Sequence, residues 1–282
     1  MRAVFAVLLA FVAASLYALS TSAQALEARR TPRETALRVS ILARLARRPI
    51  WLAGTAAGLV AWPAQLAALA FGSVALVQPA FGFALVVLLL LGATMLHEHV
   101  GAREIAGVAA IAGAVALLGW AAPGQTGAFR VGGPWAIGLS LVLVGPGPFL
   151  LRRLGRAGGL ATSVAAGLGW AWVALATTLV DEAIADRRWV VALAWAAGVG
   201  IASWGALISE MTSLQCWPAT RAIPVAFGLE MLLPAALAPL LTREPLPHVA
   251  AFGVGLAVAA AGAGLLGTSQ TVGRAAAPLT AP

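Results

Sequence analysis

Six stretches of this chain contain no Asp, Glu, Arg or His: residues 3–26, 49–96, 105–129, 131–151, 157–180 and 189–209. A helix needs about 20 apolar residues to cross the hydrocarbon of a bilayer, so the 48-residue stretch is two crossings and each of the others is one. Two further segments, 211–242 and 245–273, each hold a run near membrane length, although Arg221 and Glu230 lie in the first and His248 opens the second. The pattern therefore predicts nine helices. Barrel strands are excluded, because they alternate polar and apolar residues, and runs such as Ala84–Leu91 do not alternate. The expected fold is an all-α integral membrane protein with about nine transmembrane helices.

Composition removes whole classes of function. Hydrophobic side chains make up 61% of the chain and charged ones 10%, where a soluble domain carries roughly 25% charged residues. A soluble enzyme is excluded, and neither a catalytic residue nor a cofactor is expected: there is no P-loop, no Gly-x-Ser-x-Gly and no nucleotide-binding glycine motif. The net charge of +8 comes from 18 Arg against 10 acids, with no Lys or Asn. These arginines lie mostly in short connections beside apolar spans, where they report orientation in the membrane; nucleic acid is not an expected partner. Cys216 is alone, so neither a disulfide nor a structural zinc is expected. His97-Glu98-His99 places its two His on different sides of a helix, unlike HExxH, and no metal is expected there. Asp181, Glu182, Asp186, Arg187 and Arg188 read as a solvated connection.

Met1–Ala25 has two readings, a cleaved secretory signal and a first span. Arg29, Arg30, Arg33, Arg38, Arg44, Arg47 and Arg48 follow directly and favour the span, because a signal would have to translocate all of them. With nine spans, the odd-numbered connections hold these seven plus Arg103, Arg152, Arg153 and Arg156, against Arg130, Arg187, Arg188 and Arg243 in the even-numbered ones. That asymmetry places the N-terminus outside and the C-terminus in the cytoplasm. Val39, Leu42 and Leu45 among the arginines suggest either a helix on the anionic inner leaflet or a solvated loop.

An internal repeat is visible. Ala80-Phe81-Gly82 recurs as Ala226-Phe227-Gly228, Glu98 falls on Glu244 and Gly107 on Gly253, all at an offset of 146, with Pro79 meeting Pro224 after a one-residue slip. Four spans (1–133, including the basic loop 27–49), one linking span and basic loop (134–158) and four more spans (159–267) put five helices between equivalent positions, which inverts the second copy. Residues 268–282 read as a polar, disordered tail.

Ionisable groups at the bilayer centre are costly, so each is a functional candidate. Glu230 lies near the middle of its span with Arg221 nine residues away. It reads either as a group that couples to protons or contacts a cation, or as a protonated packing residue. Gln65 and Gln78 need partners in a medium of low dielectric, from a solute or from a neighbouring helix. Pro79, Pro224 and Pro234, with Pro63 and Pro239, remove backbone donors and free carbonyls that can face a pathway. Trp51, Trp120, Trp135 and Trp189 read as interfacial anchors, and Gly54-Thr55-Ala56-Ala57-Gly58 is a GxxxG contact motif.

Gly72-Ser73-Val74-Ala75-Leu76-Val77-Gln78-Pro79, the acidic Glu98, a Gly-rich fourth helix, Leu117-Leu118-Gly119 and the segment Gln215–Glu244 together resemble the drug/metabolite transporter superfamily, in particular its EamA-like members. The resemblance implies an inverted-repeat bundle of nine or ten spans that carries small organic solutes through a central cavity. The chain departs from the family pattern twice: no tenth span follows Gly267, and Glu230 stands where many relatives have an apolar or amide residue. The expected protein is thus a secondary transporter in the cytoplasmic membrane, with the bilayer, a small-molecule solute and protons as partners, and a homodimer as the candidate assembly. A magnesium or other cation permease and a non-transporting scaffold for envelope assembly are the alternatives.

Overall fold

The computed structural model describes residues 2–71, 74–121, 133–155, 158–241 and 248–267. The elements among these residues are all helices, with no strand: α1 (Arg2–Ala28), α2 (Ser40–Leu45), α3 (Pro49–Phe71), α4 (Val74–Thr94), α5 (Ala102–Ala121), α6 (Gly133–Val144), α7 (Gly147–Arg153), α8 (Gly159–Ala185), α9 (Trp189–Cys216), α10 (Ala219–Leu241) and α11 (Val249–Gly267). Local chemistry sets several of these bounds. Pro49 opens α3, where its missing N–H is no loss. Pro218 forces Trp217 into an extended conformation (φ −140°, ψ 150°), and that ends α9.

Five segments among the described residues are long and apolar enough to cross a membrane: Val4–Ala28, Pro134–Arg153, Gly159–Ala185, Trp189–Cys216 and Val249–Leu266. The second of these joins α6 and α7 across the break at Gly145 and Pro146. The outer surface is as apolar as these lengths require, with Leu59 70%, Leu139 75% and Val190 82% exposed. Contiguous apolar exposure of this kind fits lipid, not water.

The helices fall into two groups with the same pattern of neighbours. In the first, α1 packs along both α3 and α4, α3 and α4 barely touch, and α5 lies on α4. In the second, α8 packs along both α9 and α10, α9 and α10 touch little, and α11 lies on α10. α6 and α7 pack on α8 and α9. The groups are joined along α5 and α11, which run antiparallel, and the joint is reciprocal. A side chain on Gly107 would meet Leu266 Cγ at 2.7 Å, and one on Gly255 would meet Leu118 Cγ at 2.8 Å. Gly255 follows Gly107, and Leu266 follows Leu118, by the same 148 residues.

The connections that carry most of the arginines gather at one end, where α1, α4, α9 and α11 finish and α3, α5, α8 and α10 begin; this is called the basic end below. The segment between α1 and α3 is neither a free loop nor a helix lying on the leaflet. Leu37, Ile41 and Leu45 are fully buried against α9 and its neighbours, Thr212 Oγ1 accepts a hydrogen bond from the Leu37 N–H at 2.9 Å, and the Gln215 amide donates to the Thr31 and Pro32 carbonyls at 2.9 and 2.8 Å. Leu42 is buried with them, whereas Val39 is exposed along with Arg33, Arg38, Arg44 and Arg47.

Two more expectations change. Trp51 is buried and its indole N–H reaches Met211 Sδ at 3.4 Å, so it is a core residue and not an interfacial anchor. The stretch Asp181–Ala185 is the last turn of α8 and not part of a loop.

α1 is an integral core helix. Ala6, Ala10, Ala13 and Ala14 are buried along one side, and α3 approaches through its GxxxG. A Cβ on Gly54 would meet Ala23 Cβ at 2.8 Å and the Ser20 carbonyl at 2.9 Å, whereas one on Gly113 would meet nothing within 4 Å. Gly54→Leu is therefore expected to cost about 1–3 kcal/mol through overpacking. In detergent its yield of monodisperse protein should fall well below that of Gly113→Leu. Equal yields would mean that α1 and α3 do not pack through this motif.

Candidate functional site

Glu230 sits at the centre of α10, eleven residues from either end, which at ~1.5 Å per residue is about 16 Å of helix on each side. Its carboxylate faces the interior of the bundle, within electrostatic reach of Glu210 on α9 and Tyr17 on α1. The Tyr17 hydroxyl donates to Gln65 Oε1 on α3 at 3.0 Å, and the Trp170 indole on α8 donates to Glu210 Oε2 at 2.8 Å. Five helices drawn from both groups thus bring two carboxylates, a phenol, an amide and an indole to one level of the bundle.

Pro234 adds a further polar atom. Having no N–H, it cannot donate to the carbonyl four residues earlier, which is that of Glu230 itself. A main-chain acceptor is therefore released from the helical ladder beside the carboxylate. Pro224 is buried in the first turns of the same helix and Pro234 is half-buried. α3 passes through Pro63, and α10 through Pro224, Pro234 and Pro239, without interruption. Gln78 and Pro79 belong to α4, but their side chains lie outside the described residues.

Of the residues singled out from sequence, Gln65 and Glu230 are brought to this cluster, and Gln65 also ties α1 to α3. Gln24 makes a parallel tie to Thr55 Oγ1 at 3.4 Å. Sequence reasoning missed Glu210 and Tyr17. Glu210 ends the charge-free run 189–209, but no helix breaker follows until Pro218, so the helix continues and carries the acid inside. Tyr17 is the only tyrosine of the chain, and it lies within an apolar span.

A second polar assembly lies at the basic end. Glu98, in the connection after α4, pairs with Arg29. The same carboxylate also accepts the backbone N–H of Ala219 at 2.6 Å and of Thr220 at 2.9 Å. These are two of the first N–H groups of α10, which no helical carbonyl can satisfy and where the helix dipole favours negative charge. Gly92 makes the approach of α4 to Thr220 possible, because a side chain there would collide with the Thr220 methyl group. Burial lowers the Arg29 pKa from its ordinary value, and a guanidinium so displaced still carries its charge.

Next to it, Arg221 is 3% exposed and Glu104 4%. The Arg221 guanidinium donates to Glu104 Oε1 at 3.0 Å through Nε and 2.6 Å through Nη2, and Glu104 Oε2 accepts the Gly101 N–H at 2.9 Å. Arg221 is thus committed to Glu104 and leaves Glu230 to Glu210. Among the described residues no group of three or more His, Cys, Asp or Glu is placed to hold a metal ion.

No protein-family model, no curated protein and no solved structure matches this chain.

Proposed function

We propose that this protein is a secondary transporter of a small organic solute in the cytoplasmic membrane, working by alternating access and coupled to protons. The observation that carries the reading is the meeting of Glu230, Glu210, Tyr17, Gln65 and Trp170 at one level between two groups of helices. A bilayer tolerates ionisable groups where they face a pathway or one another, and a site held between two moving halves is what alternating access needs.

In this reading the chain has nine spans. α3, α4, α5 and α10, at 23, 21, 20 and 23 residues, add to the five apolar segments above. The matching neighbour patterns and the reciprocal α5–α11 joint support a four-plus-one-plus-four inverted repeat, with α6 and α7 as the link. α1 runs toward the basic end while α8 runs away from it, and α4 and α10 are opposed in the same way. The basic end is taken as cytoplasmic, which puts the N-terminus outside and the C-terminus inside. The resemblance to EamA-like drug/metabolite transporters agrees with this architecture.

The carboxylate of Glu210 beside Glu230 favours one alternative, a cation permease. A hard dication prefers six or more oxygen ligands, including several carboxylates, whereas this level offers two carboxylates, a phenol and an amide.

The test uses proteoliposomes that contain a pH-sensitive dye and carry an imposed pH gradient. Solutes are drawn from the metabolites that differ between a strain lacking the protein and its parent. At least one of these is expected to speed collapse of the gradient only when protein is present. Unchanged metabolite profiles together with no solute-dependent proton movement would sink the reading, and magnesium flux without proton movement would favour the permease.

A further inference from the structure

The contacts between the two helix groups are distributed unevenly. At the basic end one apolar core runs through both, with Leu88, Leu96 and Ile111 of the first packed with Ile208, Met211, Leu214 and Val225 of the second. Toward the other end each group has its own core, Ala6, Ala10, Ala13 and Ala68 in one and Trp172, Ala176 and Leu179 in the other. The ties across that end among the described residues include the α5–α11 contact at Leu118, Ala121 and Phe252, on which Leu232 of α10 packs, and the Trp120–His248 stack at 4.4 Å, with Phe227 of α10 reaching the first group's core. Every hydrogen bond and ion pair named above that joins one group to the other lies at the basic end.

From this asymmetry we infer that the structure is the state closed at the basic end, and that Glu98, held by Arg29 of its own group and capping Ala219 and Thr220 of α10, assisted by Glu104 with Arg221, is the latch that holds it closed. The inference rests on the alternating-access reading for its role in transport, but the latch is a structural claim that can be tested without a solute. Its parts suit repeated opening. Glu98 belongs to the first group, yet it caps the first turn of α10 in the second, and α10 carries Glu230. When the turn bearing Ala219 and Thr220 moves off Glu98, the whole helix moves and the membrane-level site is exposed to that side. On opening the freed amides regain water because they lie at a helix end, while Glu98 keeps its partly buried partner Arg29.

The assisting pair is not repeated in sequence: at the offset of 146 Arg221 corresponds to Ala75, and at 148 Glu104 corresponds to Phe252, whereas Glu98 recurs as Glu244, which lies outside the described residues.

Two experiments test this in the full-length protein. Cys216 is the only cysteine of the chain and lies half-buried at the end of α9, next to Gln215, whose amide holds Thr31 and Pro32. It reports opening without further engineering. In reconstituted protein, Glu98→Ala and the milder Arg29→Ala are each expected to raise the rate of maleimide labelling at Cys216 by about tenfold, the loss of a hydrogen-bonded ionic contact. A wild-type labelling rate in either variant, with unchanged size-exclusion behaviour, overturns the latch whatever the protein transports.

The second experiment staples it shut. A Cβ on Gly92 would lie 3.7 Å from Thr220 Cβ, the separation a disulfide requires, and replacing the threonine removes the methyl that stands in the way. Gly92→Cys/Thr220→Cys in a Cys216→Ser background is expected to form the disulfide in air and to lose transport until a reductant is added. Full transport with the disulfide quantitatively formed overturns the latch while leaving the transporter reading intact. A wild-type protein without any flux overturns the transporter reading while the labelling result still decides the latch.

Discussion

Replacing Glu230 by Gln is expected to reduce proton-coupled flux on the order of a hundredfold, the upper range for a coupling energy between two sites. Gln keeps the shape and the hydrogen-bonding atoms of the side chain, so α10 packs as before; what it removes is the ability to carry charge or a proton. Glu230 and Glu210 sense each other inside the bundle, and two carboxylates that do so repel unless a proton or a cation stands with one of them. In the transporter reading proposed above, that shared site is the physical basis for exchanging a proton against a solute. Glu210→Gln is expected to be less severe, because the Trp170 indole already holds one oxygen of that carboxylate, and its effect should be a displaced pH dependence with flux retained. Tyr17→Phe, which removes the hydroxyl bonded to Gln65, should act in the same direction as Glu210→Gln. The measurement is initial flux in vesicles at a series of internal and external pH values. A Glu230→Gln protein with the wild-type pH profile would leave the carboxylate as packing only and would falsify the coupling mechanism.

The distance between these expectations and the sequence is instructive at particular residues. The apolar runs marked out the long helices because hydropathy is a local property, and the approximate repeat at Phe81 and Phe227 was legible because it preserves residue types. What was not legible is which helices become neighbours. Tyr17 and Glu230 are more than two hundred residues apart, and nothing in either segment names the other. Charge was an incomplete guide in two places. Glu210 looked like the end of a span because it follows twenty-three residues without Asp or Glu, yet the backbone needs a breaker to stop, and Pro218 is the first one. The basic segment 29–48 read as either a helix on the leaflet or a solvated loop, while Leu37, Ile41, Leu42 and Leu45 between them decide where it lies. Glu98 showed as an acidic position in a repeat, but its task of capping a helix 121 residues away depends on a tertiary approach that Gly92 makes possible.

Arg221→Ala is expected to lower stability by about 3–5 kcal/mol, the cost of leaving one charge of a buried pair without its partner. Arg221 and Glu104 are both almost fully buried, and the pair is bidentate in the sense that two guanidinium nitrogens reach one carboxylate oxygen, at 3.0 and 2.6 Å. Glu104→Ala should cost a similar amount, because it strands the buried Arg221 guanidinium, while the Gly101 N–H at the first turn of α5 can turn to water. Removing both charges with side chains of similar volume, as in Glu104→Leu/Arg221→Met, should recover most of the loss, since a well-packed apolar pair is often as stable as a buried ionic one. Thermal unfolding in detergent, followed by the fraction of protein that stays monodisperse, measures all three. If the double variant were no more stable than Arg221→Ala alone, the loss would have to come from packing of the long arginine side chain and not from the stranded charge. A stable double variant carries a further consequence for the latch. With the charges gone, closure at the basic end loses one of its two charged ties and keeps the cap of Glu98 on α10, so Cys216 in that protein should label faster than in the wild type while unfolding at nearly the same temperature. That separation between opening and unfolding distinguishes an ion pair that sets a conformational equilibrium from one that only holds the fold together.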